Sequence, residues 1–114
     1  MKLSEAILTA ATKWPQCYGL SSCVVDGVEQ VCPWEGAMRV AGLQHHGDQY
    51  RYRIAVSRIS VSCPLCLRPI TYLSTIVTHL GDAHRLPFAV IAGLVRELGV
   101  DVELPVGEAE HVYI

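Results

Sequence analysis

Two cysteines and two histidines in the stretch CPLCLRPITYLSTIVTHLGDAH, residues 63–84, carry the most legible chemistry of this chain. Two residues separate Cys63 from Cys66, twelve lie between Cys66 and His79, and four lie between His79 and His84. A Cys-x2-Cys pair on a tight turn aims two sulfurs at one point. A helix that follows can add imidazoles from its last turn. Thiolate and neutral imidazole are the donors of closed tetrahedral zinc sites. The expectation is one structural Zn2+ held by Cys63, Cys66, His79 and His84. A catalytic ion would need an open position and a general base, so four protein ligands favour the structural role.

The apolar residues of the stretch extend the pattern. The segment 61–84 resembles the two-Cys-two-His zinc finger, which places one apolar residue before the first Cys and two between the second Cys and the first His. Val61, Ile70 and Ile76 stand at those places. The resemblance implies a ββα arrangement, and it puts base-reading side chains at Tyr72, Ser74, Thr75 and Thr78. None of these is an arginine, lysine, asparagine or glutamine, the types that make bidentate base contacts. Only Arg68 and Arg85 flank the helix to meet phosphate, and a single finger offers little affinity. Sequence-specific reading of DNA by this helix is not expected.

The chain that positions these residues is short. Its 114 residues make one domain, and just over half are apolar while 18% are charged, which argues for a packed globule. No apolar run is long enough to cross a bilayer. The opening MKLSEAILTAATKWP carries Glu5 early and reads as an amphipathic helix, not a signal peptide, which implies a reducing cytoplasm. Five cysteines, an odd number, fit poorly with a disulfide framework. The net charge of −2 hides an asymmetry: residues 39–96 hold seven arginines against Asp48 and Asp82. The acidic segment 100–114 holds Asp101, Glu103, Glu108 and Glu110 with no basic residue. Such an asymmetry means either nucleic-acid contact or mutual neutralisation.

Along the chain, Ser4 is expected to cap a helix over about residues 5–14, with Ile7, Ala10, Ala11 and Trp14 on one face and Pro15 as the stop. Asp26-Gly27 between valines reads as a hairpin turn. Pro33 opens a second helix, PWEGAMRVA, closed by Gly42. In QYRYRIAVSRISVSC, Tyr50, Tyr52, Ile54 and Val56 alternate with Arg51, Arg53 and Ala55, which predicts a half-buried strand with its tyrosines inward. The apolar parity switches at Ile59 and Val61, so a bulge is expected near Ser57-Arg58. Helical spacing runs from Ile70 through Leu73, Ile76, Val77 and Leu80. A last helix spans about Pro87 to Leu98 and ends at Gly99. The expected fold is a small α+β single domain, with helices packed on a short antiparallel β-hairpin and stapled by zinc.

Other constellations are weaker. Cys17, Cys23 and Cys32 with His45 or His46 could form a second metal site, but the spacings are irregular. Nothing in the sequence places a histidine beside Cys17 or Cys32, as a thiol nucleophile requires. A metal-dependent hydrolase or nuclease would need ligands left over once His84 is used. Arg51, Arg53, Arg58 and Arg68 are the candidate nucleic-acid contacts. On a strand, however, Tyr50 and Tyr52 would face away from Arg51 and Arg53, which separates stacking from phosphate contact.

LSEAILTAATKWPQCYG, CPLC and IVTHLGDAHRLPFAVIAGLV together resemble a group of small phage, prophage and bacterial proteins. Gly81 and Leu86-Pro87 depart from that group's pattern. The resemblance implies a compact zinc-stapled domain and no known activity. The expected function is a non-enzymatic binding or regulatory module acting through a protein partner, with nucleic-acid binding as the alternative and no membrane role.

Overall fold

The computed structural model describes residues 1–43 and 49–105. Expectations for His45, His46, Glu108 and Glu110 lie outside the described residues. The elements run α1 (Leu3–Lys13), β1 (Ser22–Val25), β2 (Val28–Val31), α2 (Pro33–Val40), α3 (Gln49–Ala55), β3 (Arg58–Ser62), β4 (Pro69–Tyr72), α4 (Leu73–Asp82) and α5 (Phe88–Glu97). This is the expected small α+β domain, its strands forming two separate antiparallel hairpins, β1–β2 and β3–β4. The Cα radius of gyration is 13.4 Å. A single compact body of this length has a radius of about 13 Å.

Apolar residues at helical spacing bury the inner face of α1: Leu3, Ala6, Ile7 and Ala10 are fully enclosed, packed against α2 and α5. Ala11, assigned to that face by sequence, is exposed. Ser4 does not cap the helix, because the helix starts two residues earlier than expected, at Leu3 with Lys2 in the cap position. It is buried, and its amide and Oγ each donate 2.7 Å hydrogen bonds to the two carboxylate oxygens of Asp101. A carboxylate from the far end of the chain thus satisfies an orphan amide at the helix start, where negative charge also suits the helix dipole. Glu5 reaches back to the Lys2 amide at 2.8 Å. The segment after α5 continues this docking: Leu3 N donates to Val102 O, and Leu104 N to Met1 O. The N-terminal ammonium pairs with Glu103.

Asp26 (φ 51°) and Gly27 (φ 79°) both adopt left-handed backbone, as a two-residue hairpin turn of the expected kind requires. The chain then enters α2 through Cys32, whose sulfur accepts from the Glu35 amide at 3.3 Å. Helices α1 and α2 approach closely because Gly36 has no side chain. A Cβ there would stand 2.7 Å from the Cβ of Ala10.

The largest correction concerns residues 49–55. They form α3, not a strand, and Tyr52 is exposed where it was expected to point inward. Over seven residues both periods fit the sequence. The helical period puts Arg51, Ile54 and Ala55 on the inner side, and Arg51 is tolerated there because Glu35 neutralises it. A hydropathy pattern scores Arg51 as outward, and that tips the reading the wrong way. The apolar parity switch near Ser57 is the boundary between α3 and β3. A register shift within β3–β4, between Arg58 and Val61, lies just beyond it.

Leu73, Ile76, Val77 and Leu80 are fully buried on α4, which packs against α2, α3 and α5. Ile70 belongs to β4 and not to the helix. Helix α5 buries Phe88, Ile91, Ala92 and Val95, and the chain leaves it through Gly99 at φ 73°.

Gly36→Ala should destabilise the protein by about 1–3 kcal/mol, since two fully packed helix backbones must separate to admit one methyl. Urea unfolding checks this; an unchanged midpoint would show that the α1–α2 contact yields freely.

Candidate metal centre

The β3–β4 hairpin and the end of α4 bring the four sequence-predicted ligands together. Val61 pairs with Ile70 and Ser62 with Pro69, so the residues between them must form a tight knuckle. Cys63 N donates to Arg68 O at 2.8 Å and Leu67 N to Cys63 O at 2.8 Å. Leu67 closes the turn in the left-handed region at φ 65°. The Leu65 amide points at Cys63 Sγ from 3.4 Å. His79 projects from the last turns of α4, and His84 lies two residues past its end, at Asp82. Arg85, directly after His84, turns the chain toward α5 with φ 55°.

One donor atom from each of Cys63, Cys66, His79 and His84 falls within 4.8 Å of the other three. Cys63 Sγ is 3.4 Å from His84 Nε2, Cys66 Sγ is 3.3 Å from His79 Nε2, and the two Nε2 atoms are 3.2 Å apart. Thiolate–zinc bonds near 2.3 Å and imidazole–zinc bonds near 2.0–2.1 Å give tetrahedron edges of roughly 3.3–3.6 Å between such donors. These three separations lie at or just below those edges, while the four donors together span up to 4.8 Å. The cluster can therefore hold a metal ion. Burial, the charge-sensitive neighbour His84 and the Arg68 guanidinium push the His79 imidazole below its ordinary value, toward the neutral form that coordinates metal. Cys63 is fully buried, Cys66 is exposed, and the histidines are intermediate, so the centre sits at the domain surface with one side in the core.

The three apolar positions of the finger pattern also serve as expected: Ile70 and Ile76 are buried, and Val61 packs against them from the strand side. The surrounding protein differs from an isolated finger. Ser74 Oγ donates to Ala55 O of α3 at 2.9 Å, and Thr78 Oγ1 bonds back to Ser74 O at 3.0 Å. Part of the face that would read bases is therefore turned to α3. Tyr72 is half-exposed beneath the Arg58 guanidinium, which lies 5.9 Å from its ring centre.

The four candidate nucleic-acid residues do not form one set. Arg53, Arg58 and Arg68 are exposed. Arg51 is buried: it pairs with Glu35, itself only 4% exposed, and its Nη1 lies 3.5 Å from Leu43 O. Arg39 completes a chain of charges, meeting Glu35 at 2.9 Å and Glu29 at 3.0 Å. Burial alone would raise the Glu35 carboxyl, but hydrogen bonds from Arg51 and Arg39 outweigh it and hold the group below the usual carboxylate range. Sequence reading missed Glu35. The available signal was an acid in an otherwise apolar helix, four residues before Arg39. The Glu35–Arg51 pair floors a cleft of about 380 Å³ whose walls include Leu20, Trp34, Ala55 and Asp82.

Among the described residues, Cys17, Cys23 and Cys32 do not join a metal-holding group of three or more donors. No helix there is long and apolar enough to cross a membrane. Comparison with known protein families, curated proteins and solved structures returns no match for the chain.

Cys63→Ser should lower stability by at least about 3 kcal/mol by removing a metal ligand, against about 1–2 kcal/mol for Cys17→Ser; equal thermal shifts would contradict the assignment. Arg51→Ala should cost about 3 kcal/mol by stranding the buried Glu35 carboxylate, whereas Arg53→Ala should leave stability unchanged. The folded-state carboxyl of Glu35 is depressed, so its contribution is complete above about pH 5 and is lost as pH falls through the folded value. Glu35→Gln should flatten that acid limb in pH-dependent unfolding.

Proposed function

We propose that the chain is a zinc-stapled, non-enzymatic binding or regulatory module whose ion is structural. The observation that supports this reading is the convergence of four protein donors within 4.8 Å of one another, the number that completes a closed tetrahedral zinc site. Zinc, when bound, supplies charge neutralisation and four fixed bonds. Cys63 and Cys66 hold it from the hairpin knuckle as thiolates, and His79 and His84 hold it from the α4–α5 junction as neutral imidazoles. The depressed basicity of His79 supports the neutral imidazole there. The role is then to lock β3–β4 to the helical core and present a rigid outer surface to a partner.

The partner in this reading is a protein. The exposed apolar side chains Leu65, Leu67, Val24 and Val28 sit on the two hairpins, where a protein surface can cover them. Sequence resemblance suggests a phage or prophage accessory protein acting on a host protein in a reducing cytoplasm. Nucleic-acid binding is the second reading. The exposed Arg58 on its tyrosine and the exposed Arg68 beside the knuckle favour it, but Arg51 is committed to Glu35 and cannot contribute.

Native mass spectrometry with and without a chelator, read beside circular dichroism, tests the metal role. One zinc per chain, with loss of tertiary structure on its removal, is expected; a metal-free folded chain would overturn the reading. Retention on mixed DNA or RNA separates the two binding classes. Phosphate contact must weaken steeply with salt, so salt-independent behaviour or no retention is the expected result.

A further inference from the structure

We infer that Cys17 and Cys23 form a reversible dithiol–disulfide site, open to oxidation by small-molecule disulfides such as oxidised glutathione. Their sulfurs lie 2.7 Å apart with both thiols free. That is only about 0.65 Å longer than a disulfide bond of roughly 2.05 Å. Both backbones are anchored to consecutive residues of β2: Cys17 N donates to Val31 O at 2.8 Å, and Cys23 pairs with Gln30. The side chains therefore meet by virtue of the fold and need no backbone rearrangement to bond. This inference does not rest on the metal centre, whose four donors are a separate set.

The two thiols differ in a way that orders the reaction. Cys17 is 2% exposed, and burial, the Cys23 hydrogen bond and the neighbouring Cys23 and Cys32 thiols raise it to about 11. Cys23 is half-buried, lies 3.6 Å from Gln30 Oε1 and is the thiol a reagent reaches. The Cys23 thiolate attacks one sulfur of oxidised glutathione, breaking its S–S bond and releasing one glutathione thiolate. Cys17 then loses its proton and attacks Cys23 Sγ, expelling the second glutathione thiolate. The protein gives up two protons and two electrons, and two reduced glutathiones carry them away.

The bridge closes a small ring around residues 18–22. Gly19 N donates to Asp82 Oδ1 at 2.8 Å, and Arg85 lies 5.0 Å from the centre of the Tyr18 ring, so this loop is tied to the end of α4. Gly19, Leu20 and Ser21 also form one wall of the cleft above Glu35 and Arg51. Oxidation would thus fix one wall of the cleft to β2.

The test uses the full chain loaded with zinc, incubated without oxygen in glutathione buffers of rising oxidised fraction, then acid-quenched and alkylated. Before alkylation the intact mass should fall by about 2 Da, the loss of two hydrogens, and after it the oxidised chain should carry two fewer alkyl groups than the reduced one. Tandem mass spectrometry of the tryptic peptide 14–39 should map the bridge to Cys17 and Cys23 with Cys32 alkylated, and the zinc content should not change. Cys32→Ser should behave as the parent, while Cys17→Ser should stop at a glutathione adduct on Cys23. If a variant fails to fold, the mapping on the parent chain still decides. A bridge that includes Cys32, Cys63 or Cys66 would overturn the inference. So would an unchanged mass when all the glutathione is oxidised, or a second zinc bound by Cys17 and Cys23 in the reduced protein.

Discussion

The β3–β4 hairpin depends on the convergence of two thiols and two imidazoles at the end of α4. A two-stranded hairpin has marginal stability in water by itself. This one buries few residues of its own: Ile70 is enclosed, while Ile59 and Val61 are only partly covered. Four donors drawn within 4.8 Å would repel one another through their lone pairs and any thiolate charge unless a cation neutralised them. The arrangement can hold a metal ion, and the binding energy of an ion held there would become folding energy for the hairpin. Because α4 also packs against α2, α3 and α5, whatever fixes its last turn is transmitted to them.

The rest of the domain is held by close helix contact and by one buried chain of charges. Small residues on α1 and α2 let their backbones approach until no room remains for a methyl at Gly36. Small side chains bring little area of their own, so stability comes from the larger neighbours they admit, Leu3, Ile7 and Met38 among them. The Glu35–Arg51 pair sets a different constraint. Taking two charges out of water costs more than an apolar pair would, so it adds little net stability. It does determine which face of α3 turns inward, and through that where residues 49–55 lie against α2.

Legibility followed the range of the interaction. The metal ligands, the Asp26-Gly27 turn, Pro33 at the start of α2 and Gly99 after α5 are local signals, because spacing or backbone sterics alone fix their geometry. Ser4 was misread because its carboxylate partner, Asp101, lies 97 residues away and no local pattern links them. The segment 49–55 was misread for a related reason. Its inner face carries an arginine whose burial depends on Glu35, sixteen residues earlier, and hydropathy has no means of expressing that pairing. The acidic segment offers the same lesson, since Asp101 meets Ser4 of α1 together with Arg96, and Glu103 meets the N-terminus.

The five cysteines show how far environment, and not residue type, decides chemistry. Cys63 and Cys66 face imidazoles across a hairpin knuckle, in a cluster that can hold a metal ion. Cys17 and Cys23 face each other with their sulfurs 2.7 Å apart. Cys32 faces the first turn of α2, where its sulfur receives the Glu35 amide and burial pushes the thiol up, away from reactivity. An odd cysteine count argued against a disulfide framework, and it remains a sound argument against a framework. It carries no weight against a single pair, because once two thiols are assigned to metal and one to a helix cap, an even remainder is left facing itself.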